Sequence, residues 1–194
     1  MKNLILIVFT LIFVTSCKNN QKGTQGNEHL HVEEPTEKVE AVKKPLSPHT
    51  SAMEMIGDAH IHIDYSSPGV RNRIVFGGLL PYDEVWQAGA HMATWFESNK
   101  DLTISGEKLP AGKYGIFAIP SQTEWIIIFN ENWDQHGKDE YDEKDDVIRF
   151  NVIPVISENI REHLEYKIAK VSEREGLVSL SWEKVTVSFS FNVE

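Results

Sequence analysis

The residues with the most chemical content are histidines. In Asp58-x-His60-x-His62-x-Asp64 four polar residues alternate with Ala59, Ile61 and Ile63. A strand with period two therefore sets both imidazoles side by side on one face and the apolar residues on the other. Imidazoles at i and i+2 of a strand can converge on one ion, and a third ligand from a neighbouring strand or loop completes an open tetrahedral site. His91, in Gly89-Ala90-His91-Met92-Ala93-Thr94, and His136, in Asn132-Trp133-Asp134-Gln135-His136-Gly137, are the available third and fourth ligands. Asp58, Asp64 and Glu97 can serve as ligands or orient the rings from behind. A site rich in imidazole suits Zn, Cu, Ni or Fe and not Mg or Ca, so the cofactor to expect is a transition metal, Zn or Cu. The same residues also read, without any metal, as the wet face of a strand.

Other chemistries leave less trace. The chain has no glycine-rich phosphate loop, no G-x-S-x-G elbow and no H-E-x-x-H pair. Serines, histidines and carboxylates are plentiful, but their spacing picks out no triad, which is assembled in space and leaves no sequence order. The run from Asp139 to Asp146 holds six acids in eight positions yet lacks the glycine and spaced ligands of a calcium loop, and it reads as a solvated acidic loop. Trp95, Trp125 and Trp182 fall within strand patterns that predict core burial, and Trp86 falls on a short helix. Trp133 is the loop-borne ring that could stack on a sugar.

The amino-terminal segment reads as an address. Lys2 precedes an apolar run from Leu4 to Val14, the layout of a secretory signal. The run is shorter than the roughly 20 residues that a membrane-spanning helix needs. Val14-Thr15-Ser16-Cys17 resembles the lipobox of bacterial lipoproteins, in which the cysteine is lipidated and becomes the first residue of the mature chain. The expectation is a signal over residues 1–16, a lipid on Cys17, the single cysteine, and a flexible tether to residue 50 that carries two solvated histidines, His29 and His31. The protein is then expected in the cell envelope, on a periplasmic or outer-membrane face, touching the membrane through its anchor only. The formal net charge is −10, with the acidic excess in residues 51–194, and such a domain repels the phosphate backbone of nucleic acid.

The elements that must position the histidines read as β throughout. Residues 58–64 alternate, and so do Val185, Val187, Phe189, Phe191 and Val193 against their polar neighbours. Shorter strands are predicted over 93–98, 101–105, 113–119, 124–130, 146–153, 163–171 and 177–182. Ser105-Gly106-Glu107-Lys108 supplies a turn between two of them. Trp125-Ile126-Ile127-Ile128-Phe129 is apolar on both faces, which suits a central strand covered twice. Only residues 81–88 look helical, with Pro81 and two acids at the start and Gly89 after the end. About nine short strands and one short helix, without βαβ alternation, predict an all-β domain over residues 51–194, an antiparallel two-sheet sandwich of Ig-like or jelly-roll type.

A series of motifs adds a resemblance. Residues 64–73 (Asp64-Tyr65-Ser66-Ser67-Pro68-Gly69 to Arg73), 76–90 (Phe76-Gly77-Gly78-Leu79-Leu80-Pro81-Tyr82 to Ala90), 109–114 (Leu109-Pro110-Ala111-Gly112-Lys113-Tyr114) and 124–130 together resemble the bacterial family catalogued as domain of unknown function 2911, found in secreted proteins and lipoproteins. The resemblance covers about residues 56–194 and implies no activity or catalytic residue. In the common form of that family the position of His91 is Asn, that of His136 is often Trp, and the H-x-H pair is lacking, so this chain departs towards histidine at each place. Three readings stay open. The first is a lipid-anchored binding module for an envelope ligand, with a metal site at His60, His62, His91 and His136. The second is a metal-dependent hydrolase or redox enzyme that uses the same histidines, and the third is a metal-free structural, glycan-binding or protein-binding domain.

Overall fold

The computed structural model describes residues 45–194. The predicted signal, Cys17, His29, His31 and the tether up to residue 44 lie outside the described residues. Ten strands follow in order: β1 (His49–Ile56), β2 (Ala59–Ser66), β3 (Thr94–Ser98), β4 (Leu102–Ile104), β5 (Glu107–Leu109), β6 (Gly112–Ile119), β7 (Trp125–Asn130), β8 (Asp146–Val152), β9 (Val155–Lys170) and β10 (Glu175–Val193). They form two antiparallel sheets, a six-stranded one in the order β1-β2-β3-β6-β7-β8 and a four-stranded one in the order β5-β4-β10-β9. The hairpin β4–β5 leaves the first sheet between β3 and β6, which pair with each other across the gap. Its turn, Ser105-Gly106, has φ of 52° and 85°, the double positive φ whose twist matches the flanking strands.

The inner faces interdigitate as a sandwich requires. From the first sheet come Ile61, Ile63, Phe96, Trp125 and Phe129, and from the second Leu102, Ile104, Trp182 and Phe191, all of them fully buried or nearly so. At one end Phe76 meets Trp125 at 4.8 Å and Trp182 at 6.0 Å edge-on, while Trp86 stacks on Trp182 at 5.9 Å. Tyr65 and Tyr166 join the sheets through an edge-to-face contact at 4.9 Å. The backbone N–H of Tyr166 donates to the Tyr65 hydroxyl at 3.2 Å, and the Tyr166 hydroxyl donates to the carbonyl of Ala88 at 3.0 Å.

The helix expectation is corrected. Residues 81–88 are not helical: Asp83 and Ala88 take φ of 62° and 50°, left-handed values that no α-helix accommodates. Trp86 instead forms an isolated bridge to Ala118, with both N–H···O bonds at 2.8 Å. The requirement to bury the Trp86 ring beside Trp182 overrides the local helical pattern. The one helical element among the described residues is a single 3-10 turn at Glu143–Asp145. β1 begins at His49, so His49 and Thr50 are part of the sheet. Residues 177–182 and 185–193, predicted as two strands, are one, β10, which continues through an irregularity of register at Glu183.

Burial raises the phenol pKa of Tyr65, Tyr114, Tyr141 and Tyr166 above its usual value. In the unfolded chain these phenols ionise near about pH 10. Their contribution to stability is thus complete below that pH, and it is lost as pH rises further, because the unfolded chain releases protons that the folded chain retains. Chemical denaturation at a series of alkaline pH values should show stability falling above about pH 10, by up to about 1.4 kcal/mol per pH unit for each such tyrosine. Tyr166→Phe should make that decline shallower.

Candidate functional site

The outer face of the first sheet is divided in two. Alternation sends Lys113, Gly115, Phe117 and Ile119 of β6 outwards, and their neighbours on β7 are Asn130, Ile128 and Ile126. Phe117 and Ile128 are nonetheless fully buried, in a small second core with Ala93 that Val85 and Tyr141 complete. What covers them is the segment 131–142. A β-carbon on Gly115 would stand 2.8 Å from the Phe117 ring and 3.3 Å from the Cα of Trp133, so the missing side chain lets this segment lie on the sheet.

The cover is fastened by amides. Asn130, fully buried, accepts from the N–H of Asn132 at 2.9 Å and donates to the Asp142 carbonyl at 3.0 Å and to Asp146 Oδ1 at 2.8 Å. Gln135 donates to the Asn132 carbonyl at 2.7 Å and accepts from the N–H of Glu140 at 2.9 Å. The acidic run thus has two parts. Asp142 caps the 3-10 turn and Asp146 accepts from the Tyr141 hydroxyl at 2.9 Å, whereas Asp139, Glu140 and Glu143 are exposed. Burial holds the Asp146 carboxyl above its usual range despite those bonds.

The other half of the face, over β1, β2 and β3, is open. His60 and His62 stand there as the spacing predicts, half-buried, with ring centroids 6.1 Å apart. Trp95 lies edge-on to His62 at 4.8 Å and edge-on to Trp133 at 6.3 Å. The ammonium of Lys113 sits over both indoles, 3.8 Å from the centroid of Trp95 and 4.4 Å from that of Trp133. Beside them, a cavity of about 140 Å³ is lined by His49, Asp64, Met92, Trp95, Trp133 and Asp134. The Nε2 of His62 is shielded from solvent and has no hydrogen-bond partner among the described residues, an arrangement that costs about 1–3 kcal/mol for a buried polar group.

The remaining predicted ligands lie elsewhere. Since Asp64 pairs with Trp95 and Ile61 with Ser98, the chain at residue 91 adjoins the Ser66 end of β2, away from His60. His91 is exposed there with φ of 62°. A bridge between Met92 and His136 sets the two loops together, and His136 Nδ1 lies 3.1 Å from Asp139. His91 and His136 are therefore set apart from His60 and His62, on two loops that meet at that bridge. Asp58 binds Lys100, and Asp64 binds His49 at 2.8 Å, so each carboxylate has a partner other than His60 or His62. Among the described residues no group of three or more His, Cys, Asp or Glu side chains is placed to hold a metal ion.

Trp95 also departs from expectation. Adjacent Trp95 and Phe96 must point oppositely in a strand, and Phe96 takes the core while Trp95 goes outside with Glu97. On β1, Met53 lies opposite His62 and Met55 opposite His60, both methionines well exposed at 59% and 47%. The M-x-M spacing was the available signal for them. It passes unnoticed because methionine normally reads as core filler.

Replacing Gly115 by Ala should lift the 131–142 segment from the sheet. The expected outcome is a loss of about 1–3 kcal/mol, as for overpacking, together with a red shift of tryptophan emission as Trp133 separates from Lys113. Denaturant unfolding and fluorescence of the variant check both.

Comparison with curated proteins and with solved structures gives no match. A family model does match, over residues 47–191, which runs from just before β1 to near the end of β10 and so spans both sheets. The chain belongs to the family described as protein of unknown function (DUF2911).

Proposed function

We propose that this protein is a binding module of the bacterial cell envelope, held to a membrane by a lipid on Cys17, and that it binds a transition-metal ion, zinc or copper, through His60 and His62. The observation that carries the reading is the imidazole pair itself, adjacent on an open face at 6.1 Å, with the unpartnered Nε2 of His62 among its atoms. At a metal–nitrogen distance of about 2.0–2.1 Å a ring centroid lies about 3.2 Å from the ion, so two rings on one ion stand about 5 to 6.4 Å apart. The observed separation lies within that range. His91 and His136, which lie on other loops, are not required.

Binding is favoured over catalysis because the face is open. A metal ion that activates water works in a shaped site from which bulk water is excluded, whereas protein ligands from one side of a strand leave an ion facing solvent. The Lys2–Cys17 pattern supports the anchor, and the acidic balance of the folded part suits a cation better than an anion.

Thermal unfolding after chelator treatment, then with Zn(II), Cu(II) or Ni(II), tests the metal. An ion at 100 times its dissociation constant should add about 2.7 kcal/mol and raise the midpoint by about 5–10 °C, and the His60→Ala/His62→Ala variant should show no shift. If no ion moves the wild-type midpoint, the metal reading falls. For the anchor, labelled palmitate should be incorporated by the wild type and not by Cys17→Ser, with the variant lost from the lipidated membrane fraction. Equal labelling of the two would remove the lipid from the reading.

A further inference from the structure

The two methionines opposite the histidine pair change the chemistry of the site. Register sets Met53 against His62 and Met55 against His60, so two thioethers and two imidazoles occupy the corners of one small quadrilateral on the β1–β2 hairpin. Directly opposed residues of an antiparallel pair have Cβ atoms about 4.5–5.5 Å apart, and residues i and i+2 of one strand lie about 6.6–6.8 Å apart. Four ligating side chains thus rise from a patch that one ion and its bonds can span. Because β1 is the edge of its sheet, no further strand among the described residues is hydrogen-bonded to it on the side away from β2.

We infer that Met53, Met55, His60 and His62 form a site for a soft monovalent ion, copper(I). The inference rests on the metal-binding reading above and specifies its ion and ligands. Thioethers are neutral, polarisable and soft, and among the common metals they select copper(I). Zinc instead takes thiolate, imidazole or carboxylate. The nearest carboxylate on the third strand, Glu97, lies opposite His62 but is 3.9 Å from the ammonium of Lys113. Asp64 is engaged by His49 and Glu97 lies toward Lys113, and the groups in register on β1 and β2 are two thioethers and two imidazoles. Isolated exposed methionines are ordinary. A pair at i and i+2, in register with an imidazole pair that includes an unpartnered nitrogen, has a ligand set's composition and spacing.

The test uses the full-length chain with Cys17→Ser in mild detergent, so that the thiol does not compete for copper. Copper(I), kept reduced by ascorbate without oxygen, is titrated in the presence of bathocuproine disulfonate as a competing chelator. The wild-type background should take one copper(I) from the chelator. Met53→Leu/Met55→Leu should hold it at least about tenfold more weakly, ligand loss costing no less than loss of an outer partner, while any Zn(II)-induced midpoint shift is kept. His60→Ala/His62→Ala should lose both ions. X-ray absorption should show sulfur neighbours to copper in the first protein and none in the methionine variant, whose circular dichroism should match that of the wild type because both side chains are exposed. Copper(I) held equally well by the methionine variant overturns the inference, and a retained zinc shift then leaves the histidine reading standing. Copper(I) lost with the methionines but kept without the histidines overturns the shared four-residue site. If neither ion binds, both readings fall.

Discussion

The structure depends on the burial of two adjacent strands on both faces. β6 and β7 send Ile116, Ala118, Ile127 and Phe129 into the sandwich and Phe117 and Ile128 out of it, and all six are buried. Each large apolar side chain taken from water contributes about 1.5–3 kcal/mol, so the outer pair cannot be left wet without loss comparable to a good part of a domain's stability. A second layer must therefore lie on the first sheet. The second sheet already covers the inner face, and the layer is supplied by the connection between β7 and β8, with Val85 and Tyr141 filling its underside.

That cover determines where a ligand can approach. Gly115 brings the backbone of residues 132–133 down onto β6, and the buried amides of Asn130 and Gln135 replace the water that this backbone would otherwise bind. The segment ends its reach at Trp133, where Lys113 holds two indoles through its charge. Cation–π contacts of this kind are worth about 0.5–1 kcal/mol when exposed and about 2 when desolvated. Beyond Trp95 the face is more open: His60 and His62 are half-buried and Met53 and Met55 well exposed. The wall and the open face are two results of one packing requirement.

Much of this was legible in the sequence. The strict alternation of residues 58–64 placed His60 and His62 correctly, because period two leaves no second solution when Ala59, Ile61 and Ile63 need a core. The doubly apolar run Trp125–Phe129 announced a strand covered on both faces, although which segment would cover it is a tertiary matter. What failed had tertiary causes too. Residues 81–88 carry helix start and stop signals, but the burial of Trp86 against Trp182 decides their conformation. Trp95 and Phe96 compete for one inward position, and composition does not say which loses. β1 was hidden because its Ser51-Ala52-Met53-Glu54-Met55-Ile56 mixes polar and apolar residues on both faces, as an edge strand tolerates. The separation of His91 from His60 follows from register, which a single sequence does not display.

Register also explains how an open surface patch can be a precise one. Met53 and Met55 are exposed, but Ile56, Ile61 and Ile63 on the opposite side of the same hairpin are fully buried. A slip of one residue between β1 and β2 would carry a core face to solvent, so the core forbids it. The pairing of Ile56 with Ala59 at the hairpin end then carries through to Met55 with His60 and Met53 with His62. Apolar burial on one face of the hairpin thus spaces the polar and soft side chains on the other. A substitution that loosened Ile61 or Ile63 would act on the exposed cluster without touching any of its four members.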